Sequence, residues 1–263
     1  SDFYSYSLSY SGNSFLKYAV LGKYRISTGQ GLLFASKLAT SKTAFIGNPV
    51  KTQTVKPYTS SFEMWDMEGG AAVFKFKQIE LMPFYSNTKY DATLQENKIS
   101  SFREDGLHIS NKYKNNVGET IGGINLQHQS EWFNWSVLNS FNRFDREFVN
   151  PEYKSEYNAT SFAFRISLFR INLFGEASYT MSKKALIGGL YLGEGSFRQN
   201  LVFRYYEKYF PTWHGNPLST QSSFDNEQGF FYSFMMKPLH FIELQSYFDV
   251  WKCPETRYYE KMP

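Results

Sequence analysis

Few side chains in this sequence have the types and spacing that metal binding or catalysis requires. The chain contains one cysteine, Cys253, and four histidines, His108, His128, His214 and His240. The histidines do not show the spacing of a helical zinc motif, and no second cysteine can join Cys253 as a ligand. A closed zinc site needs four protein ligands. We therefore expect neither a metal site nor a cofactor, and a single cysteine excludes an intrachain disulfide.

Acidic residues form one further cluster, with Glu63, Asp66 and Glu68 preceding Gly69-Gly70. Two carboxylates can hydrolyse a glycosidic bond only at a fixed separation, and a solvated acidic loop is the commoner explanation of such a cluster. The sequence shows no Ser-His-Asp order, no nucleophile elbow and no phosphate-binding loop. We therefore expect a protein that is not an enzyme, with a barrel hydrolase as the enzymatic alternative.

The elements that would position these residues are predicted to be β-strands. In residues 119–128 one parity is polar, with Glu119, Asn125 and Gln127, whereas the other parity is mainly apolar. In residues 133–142 aromatic and aliphatic side chains alternate with asparagine and serine. A period of two is typical of a strand that has one polar and one apolar face. The short polar stretch between the two segments indicates a hairpin.

The same alternation recurs along the chain and predicts about ten to twelve strands, joined alternately by short turns and long loops. Short turns at one edge and long loops at the other are typical of outer-membrane barrels. The predicted fold class is therefore all-β, as an antiparallel transmembrane β-barrel of the outer-membrane type. Residues 1–263 begin and end abruptly within this pattern, so we expect a chain that is truncated at both ends and forms part of a larger barrel.

The apolar parity of the predicted strands gives the candidate lipid-facing positions. In an outer-membrane barrel this face is turned toward the hydrocarbon, where a basic residue near the midplane costs about 2–4 kcal/mol. The predicted lipid-facing residues are Trp135, Val137, Phe164, Ile166, Leu201 and Phe203.

The polar parity gives the candidate lumen-facing charges. The predicted basic residues are Lys23, Arg25, Lys75, Lys77, Arg165, Arg198 and Arg204, and the acidic ones are Glu119, Glu176, Glu243 and Asp249. Because cations outnumber anions in this set, the sequence predicts a net positive lumen that would favour an anionic solute. The alternative is that the charges pair with one another and fill a closed interior.

Residues 29–61 interrupt the alternation. This stretch is rich in Ser, Thr and Lys but retains Leu32, Leu33, Phe34 and Leu38. Irregular backbone at membrane depth requires shelter by protein or water. We therefore expect an irregular segment that folds inward as a loop or plug, and a long exposed loop is the alternative.

Composition agrees with a membrane barrel but does not require one. Of the 263 residues, 20% are charged and 19% are aromatic, and the formal net charge is +4. The mean hydropathy of −0.45 argues against a helical membrane bundle. In a barrel, polar lumen residues offset apolar lipid-facing ones, so such a low mean remains compatible with that fold. The net charge is too small to imply nucleic-acid binding.

Several short stretches resemble the barrel portion of the helix-hairpin-helix outer-membrane proteins of Bacteroidetes-type bacteria. They include Gly29-Gln30-Gly31-Leu32, Gly70-Ala71-Ala72, Phe84-Tyr85-Ser86 and Glu119-Thr120-Ile121-Gly122-Gly123, in the same order along the chain. Where that family usually carries an aromatic residue and an arginine before Gly-Ala-Ala, this chain has Met67-Glu68-Gly69. The resemblance implies a bacterial outer-membrane location. It also implies a periplasmic helix-hairpin-helix segment similar to competence DNA-binding proteins, which this chain does not contain.

Three functions are compatible with these features. The first is a non-enzymatic barrel subunit for transport or envelope assembly, in contact with outer-membrane lipid and with other envelope proteins. The second is a nucleic-acid-handling protein, related to DNA uptake, whose DNA-binding part lies outside this chain. The third is a soluble all-β binding protein. Dependence on detergent for extraction separates the third function from the other two.

Overall fold

The computed structural model describes residues 4–35, 54–59, 65–103, 113–211, 213–221 and 224–256. Within these ranges the chain forms β-strands joined by turns and loops, with no α-helix. The strands are β1 (Ser7–Ser11), β2 (Leu16–Ser27), β3 (Thr54–Pro57), β4 (Met67–Phe76), β5 (Ile79–Tyr90), β6 (Ala92–Gln95), β7 (Lys98–Phe102), β8 (Val117–Gln129), β9 (Phe133–Phe144), β10 (Glu156–Leu168), β11 (Ile171–Thr180), β12 (Lys183–Glu194), β13 (Phe197–Tyr206), β14 (Glu227–Leu239) and β15 (Ile242–Lys252).

Thirteen of these strands form one antiparallel sheet. Its order is β1-β2-β4-β5-β8-β9-β10-β11-β12-β13-β14-β15, and β3 pairs with β2 beside this path. Strands β6 and β7 form a separate two-stranded sheet. The all-β, antiparallel fold predicted from the alternation is therefore confirmed. The strand count is higher than the ten to twelve predicted, because β3, β6 and β7 lie in stretches that lack clear alternation.

The connections differ between the two edges of the large sheet. At one edge they are short: residues 12–15, 77–78, 130–132, 169–170, 195–196 and 240–241. At the other edge they are long: residues 28–66, 91–116, 145–155 and 207–226. One connection at the long edge is short, the turn Met181-Ser182 between β11 and β12. We call the two sides the turn edge and the loop edge of the sheet.

The two faces of the strands differ in polarity, with polar side chains on the buried face and apolar ones on the exposed face. Strand β9 illustrates the pattern: Ser136, Ser140 and Asn142 are buried, whereas Val137 and Phe141 are exposed. On the other long strands the buried polar residues include Glu80, Ser86, Thr88, Glu119, Asn125, Gln127, Ser161, Glu176, Ser178, Thr180, Asn200, Arg204, Glu227 and Ser233. Exposed apolar residues of these strands include Ile124, Leu126, Phe162, Leu173, Tyr179, Leu186, Leu201, Phe203 and Phe230. The buried face therefore carries many polar side chains, and the exposed face is largely apolar.

The chain divides into two compact units. Unit 1 comprises Ser1–Ile26, Thr54–His128 and Val137–Thr160, and unit 2 comprises Ser27–Gln53, Gln129–Ser136 and Ser161–Pro263. Each unit contains an aromatic cluster near its long loops.

In unit 1 the aromatic cluster forms where the β6–β7 hairpin packs on the loop after β9. The ring of Phe102 lies 5.0 Å from Trp65 and 5.6 Å from Phe144, measured between ring centroids. The N–H of Ile99 donates to the carbonyl of Glu147 at 2.7 Å. Strands β6 and β7 lie within the long connection between β5 and β8, residues 91–116. The alternation in this stretch is short. The β6–β7 hairpin is stabilised by contacts with the loop after β9, which the local pattern does not reveal.

In unit 2 the aromatic cluster joins β13 to the loop that follows it. The ring centroids of Tyr206 and Phe224 lie 5.3 Å apart, and those of Phe210 and Phe224 lie 5.9 Å apart. All three side chains are buried. The loop after β13 is therefore folded onto the strand rather than extended away from it.

Candidate functional site on the buried polar face

Glu176 of β11 projects from the buried face of unit 2 and binds a loop through backbone groups. Its Oε2 accepts the N–H of Gln30 at 2.5 Å and the N–H of Leu32 at 3.2 Å. Ser178 Oγ lies 3.5 Å from Oε1 of the same carboxylate. Backbone N–H groups that converge on one point form an anion-binding concavity. In this protein the carboxylate of Glu176 fills that concavity.

Two glycines give the loop the shape that this contact needs. Gly29 has φ of 53° and Gly31 has φ of 88°, in the left-handed region that glycine adopts without steric cost. A Cβ atom added to Gly29 would lie 2.5 Å from the carboxylate carbon of Glu176. Any larger residue at position 29 would therefore displace the carboxylate as well as strain the backbone.

The loop is closed by its own hydrogen bonds and by those of a second loop. The N–H of Thr28 donates to the carbonyl of Phe34 at 3.0 Å. The N–H of Asn216 donates to the carbonyl of Gly31 at 2.8 Å, and the N–H of Ala35 donates to the carbonyl of His214 at 2.9 Å. Residues 28–35 and 214–216 thus form one structure, which we call the cap of unit 2.

The described part of the predicted inward segment, residues 29–61, is only partly irregular. Residues 29–34 belong to the cap and are buried, with Leu32 fully buried. Residues 54–57 form strand β3, which the sequence analysis did not predict. Residues 36–53 and 60–61, including Leu38, lie outside the described ranges.

Arg204 of β13 is the centre of a buried charged network in unit 2. Its side chain is fully buried, and its Nη2 donates to Asp249 Oδ1 and to Thr220 Oγ1, each at 2.8 Å. Its Nε donates to a carboxylate oxygen of Glu227, whose side chain is also fully buried. A Cβ atom added to Gly229 would lie 2.6 Å from the guanidinium carbon, so glycine at that position makes room for Arg204.

The carboxylate of Glu227 also holds the loop that precedes β14. It accepts the N–H of Thr220 at 3.0 Å and the hydroxyl of Ser219 at 2.8 Å. The hydroxyl of Tyr206 donates to the carbonyl of Leu218 at 2.8 Å. Glu227 is not among the predicted lumen-facing charges because it directly follows the long connection over residues 207–226. Its parity with Phe231 and Ser233 on β14 is the signal that could have found it.

A second buried ion pair lies in unit 1. Lys23 Nζ donates to Asp66 Oδ2 at 2.6 Å, and both residues are buried. The hydroxyl of Tyr90 donates to the carbonyl of Asp66 at 3.0 Å. The expectation of a solvated acidic loop is therefore wrong for Asp66. Glu68 lies within β4 and is half-exposed, and Glu63 lies outside the described residues.

Glu80 of β5 is a further buried charge of unit 1, and it binds two polar side chains. Its carboxylate accepts Lys17 Nζ at 2.6 Å and Gln127 Nε2 at 2.7 Å. Lys17 itself is largely exposed at its side chain. Glu80 is not among the predicted lumen-facing charges, although it shares parity with the buried Met82 and Phe84.

The predicted lumen-facing charges occupy different depths. Among the basic residues, Lys23 and Arg204 are buried, Arg25, Arg165 and Arg198 are half-exposed, and Lys75 and Lys77 are exposed. Lys77 lies in the turn after β4, with φ of 56°. Among the acidic residues, Glu119 and Glu176 are buried, Asp249 is half-exposed and Glu243 is exposed.

The buried charges of the described residues have a different balance from the predicted set. Unit 1 buries Asp66, Glu80 and Glu119 with Lys23, and unit 2 buries Glu176 and Glu227 with Arg204. Carboxylates therefore outnumber cations on the buried face of each unit. Backbone N–H groups and side-chain amides supply part of the compensation, as the contacts of Glu176 and Glu80 illustrate.

The six predicted lipid-facing residues all have solvent-accessible side chains. Val137, Leu201 and Phe203 are exposed, and Trp135, Phe164 and Ile166 are half-exposed. None of the six is buried, so their parity is that of the exposed face of the sheet.

Within the described part of the chain, no three His, Cys, Asp or Glu side chains are grouped so that they could hold a metal ion. His214 is buried in the cap of unit 2, Cys253 is half-exposed, and His108 lies outside the described residues. The site is therefore a set of ion pairs and backbone contacts that fix loops to strands.

No described helix has the length and apolar character needed to cross a bilayer.

Comparison with known proteins adds no relative: no family model matches the chain, and no curated protein or solved structure is significantly similar to it.

Proposed function

We propose that this chain forms the wall of a transmembrane β-barrel in the bacterial outer membrane and acts as a non-enzymatic subunit for transport or envelope assembly. The observation that supports this most is the polarity of the strands. Side chains such as Ser140 and Glu176 are buried, whereas Phe203 on an exposed face is 47% exposed. The resemblance to helix-hairpin-helix outer-membrane proteins also implies a location in the bacterial outer membrane.

The exposed face is costly in water and favourable in lipid. Removing a large apolar side chain from water stabilises a protein by about 1.5–3 kcal/mol. Monomeric soluble proteins rarely expose large contiguous apolar patches. Within unit 2, strands β10 to β14 repeat such side chains on their exposed face, among them Phe162, Leu201 and Phe230. A hydrocarbon environment gives this face a partner along its whole length.

The lengths of the strands support the same environment. Strands β8 to β15 contain between 10 and 13 residues each. A tilted transmembrane strand needs about 9–11 residues to cross the hydrocarbon. Strands in globular proteins are usually shorter, with a mode of about 5–6 residues.

We further propose that the interior of the barrel is filled rather than open. In unit 2 the cap is bound to Glu176, and the loop before β14 is bound to Glu227 and Tyr206. Buried ion pairs such as Lys23–Asp66 tie polar side chains together rather than leaving them hydrated. These contacts favour a closed interior, in which charges pair with one another, over an open lumen.

Extraction and refolding test the membrane assignment. We expect the expressed chain to stay in the membrane fraction after carbonate washing and to refold in detergent micelles to a form that migrates differently before and after boiling. A chain that is monodisperse in buffer without detergent would overturn the assignment and favour the soluble binding protein.

Planar-bilayer conductance then tests the state of the interior. The filled interior predicts no steady conductance from protein that passes the refolding test. If channels open, the seven predicted basic positions favour anions, whereas the buried carboxylates favour cations. The sign of the reversal potential in a salt gradient separates these two outcomes, and either one contradicts the filled interior.

A further inference from the structure

Two polar side chains interrupt the exposed apolar face of unit 1. Asn139 of β9 and Thr160 of β10 are both exposed, and Asn139 Nδ2 donates to Thr160 Oγ1 at 2.8 Å. On its own strand, Asn139 stands between Val137 and Phe141, which are 38% and 45% exposed on the same face. Since Phe141 lies on the loop-edge side of Asn139, the amide lies inside the apolar face and not at its border.

The hydrogen bond between these two side chains leaves part of their capacity unused. An asparagine amide has two donor hydrogens and an oxygen with two lone pairs, and a threonine hydroxyl can donate while it accepts. Among the described residues, Asn139 Oδ1 and the hydroxyl hydrogen of Thr160 have no further partner. The pair therefore offers one acceptor and one donor, side by side, to whatever covers this face.

Lipid acyl chains cannot satisfy these two groups. An unsatisfied polar group in hydrocarbon costs free energy. Asparagine and threonine side chains of membrane-spanning segments hydrogen-bond to neighbouring protein segments. Asn139 and Thr160, beside the apolar Val137 and Phe141, therefore indicate a protein contact at this point of the exposed face.

The arrangement of the pair fits a second copy of the same chain. Copies that insert into a membrane in one direction can be related by a twofold axis only if that axis runs along the membrane normal. Strands β9 and β10 are neighbours in the sheet. An axis that passes between them therefore places Asn139 of each copy opposite Thr160 of the other. Each Thr160 hydroxyl can then donate to Asn139 Oδ1 of the other copy, so that four hydrogen bonds close a ring.

We propose that two copies of this protein associate within the membrane through the exposed face of β9 and β10 in unit 1, with Asn139 and Thr160 at the twofold axis. The side chains of Val137 and Phe141 flank the ring of hydrogen bonds and shield it from water. The inference rests on the proposed membrane function and adds to it a partner, a second copy of this chain.

Energy transfer between copies in vesicles tests the association. Cys253, the single cysteine of the chain, is half-exposed and carries a donor fluorophore in one sample and an acceptor in another. The two samples are refolded together into phosphatidylcholine vesicles over a range of protein-to-lipid ratios. We expect energy transfer to follow a monomer–dimer curve as the ratio rises, and to fall when unlabelled protein is added.

Two substitutions at position 160 separate hydrogen bonding from packing. Thr160→Val keeps the shape of the side chain but removes the hydroxyl, whereas Thr160→Ser retains the hydroxyl. Because the twofold axis doubles each contact, Thr160→Val removes two hydrogen bonds between the copies, and we expect the apparent dissociation constant to rise about tenfold. Thr160→Ser should dissociate like the unchanged protein. The control Ser246→Ala removes a hydroxyl from an exposed position of β15 in unit 2 and should have no effect.

The outcomes separate the inference from the proposed function. Protein that passes the refolding test but remains monomeric at every ratio would overturn the inference and leave the proposed function in place. Association that Thr160→Val leaves unchanged would also overturn it, because the copies would then meet through another surface. Failure to insert into the vesicles overturns both.

Cross-linking locates the contact independently. In a Cys253→Ser background, Val137→Cys places a thiol beside Asn139, and Lys89→Cys places one at an exposed position of β5 in the same unit. A short bismaleimide should join two copies through position 137 and not through position 89. Equal yields at the two positions would contradict a contact centred on Asn139 and Thr160.

Discussion

At the scale of single residues, Glu176 joins a strand to a distant loop through backbone N–H groups. Its carboxylate accepts two backbone N–H groups from residues that are 146 and 144 positions away in the sequence. A hydrogen bond to a charged acceptor contributes about 1.5–3 kcal/mol, more than a neutral one. The charge of Glu176 therefore contributes to the stability of the cap of unit 2, beside the backbone hydrogen bonds within it.

Changing Glu176 to Gln should loosen the cap, because an amide accepts weakly and turns a donor group toward backbone donors. We expect a loss of about 1–3 kcal/mol in the free energy of unfolding, measured by denaturant titration in micelles. The control Glu243→Gln, on the exposed β15, changes a surface carboxylate that pairs with Lys237 and Gln245, and it should have a smaller effect. Equal effects of the two changes would contradict a role for Glu176 as the anchor of the cap.

The contact between Gly29 and Glu176 can be tested by comparing Gly29 with Gly195, a glycine of similar backbone conformation that lies in open space. Both have positive φ, of 53° and 64°. A Cβ at Gly29 would meet Glu176, whereas a Cβ at Gly195 would meet nothing within 4 Å. Each change to alanine should cost about 1–2 kcal/mol for the left-handed backbone. We expect Gly29→Ala to lose more stability than Gly195→Ala in the same unfolding assay, and an equal loss would mean that the carboxylate moves aside freely.

At the scale of elements, the β6–β7 hairpin is fixed to the loop after β9 by charge as well as by backbone bonds. Lys98 Nζ lies 2.9 Å from Glu147 Oε2. The hydrogen bond from Lys98, followed by its positive charge, holds the pKa of Glu147 below the ordinary value of 4.5. A lowered pKa in the folded state favours docking of the hairpin above the unfolded pKa, and this contribution is lost as the pH falls through the folded pKa.

Lys98→Gln should raise the pKa of Glu147 back toward 4.5, because it removes both the hydrogen bond and the charge. The measurement is a carboxyl titration by NMR in micelles. Lys184→Gln, which changes a lysine outside this hairpin, serves as the control and should leave the titration of Glu147 unchanged. A titration that does not respond to Lys98→Gln would show that the pair does not form in solution.

Period-two alternation predicts which face of a strand a residue occupies but not what covers that face. The alternation placed Glu176 on the same strand face as Ser178, and Phe203 on the same face as Leu201. The structure shows the same arrangement. Alternation could not predict that Asp66 is buried by Lys23, which lies 43 positions away. It could not predict the cap either, because Gly29 and Glu176 are brought together only by the folded chain.

The prediction of lumen-facing charges was limited in the same way. Lys75 and Arg204 share a polar parity in the sequence, yet one is exposed and the other is fully buried. Depth along the strand and coverage by loops decide this difference, and neither is encoded in local alternation. Glu227 was missed because it follows a long stretch without alternation, although Glu80 and Glu227 each share the parity of buried neighbours on their strands.

At the scale of the whole molecule, the exposed apolar face makes the effect of a charge depend on the surrounding medium. In water, replacing the 47% exposed Phe203 with Arg should be neutral or favourable. In a bilayer the same change should cost about 2–4 kcal/mol near the midplane. The proposed function predicts the second result for protein folded in vesicles.

The control for Phe203→Arg is Asn200→Ser, which changes a side chain of the buried polar face on the same strand. We expect the control to have a small effect in vesicles. If Phe203→Arg left the free energy of unfolding unchanged there, the exposed face would not be in contact with hydrocarbon.

The two-residue turn at Met181-Ser182 also has a consequence for the order in which the chain folds. Strands β11, β12 and β13 are joined by two such turns, and their registers run without interruption from Ile171↔Leu192 to Thr180↔Lys183 and from Ala185↔Tyr206 to Glu194↔Phe197. Closing short loops costs little chain entropy, so this three-stranded meander should form early. The bond between Glu176 and Gln30 spans 146 positions and should form after the rate-limiting step. Glu176→Gln should therefore speed unfolding while leaving the refolding rate nearly unchanged, which stopped-flow fluorescence in micelles can measure. A slower refolding rate would mean that the cap is already docked in the transition state.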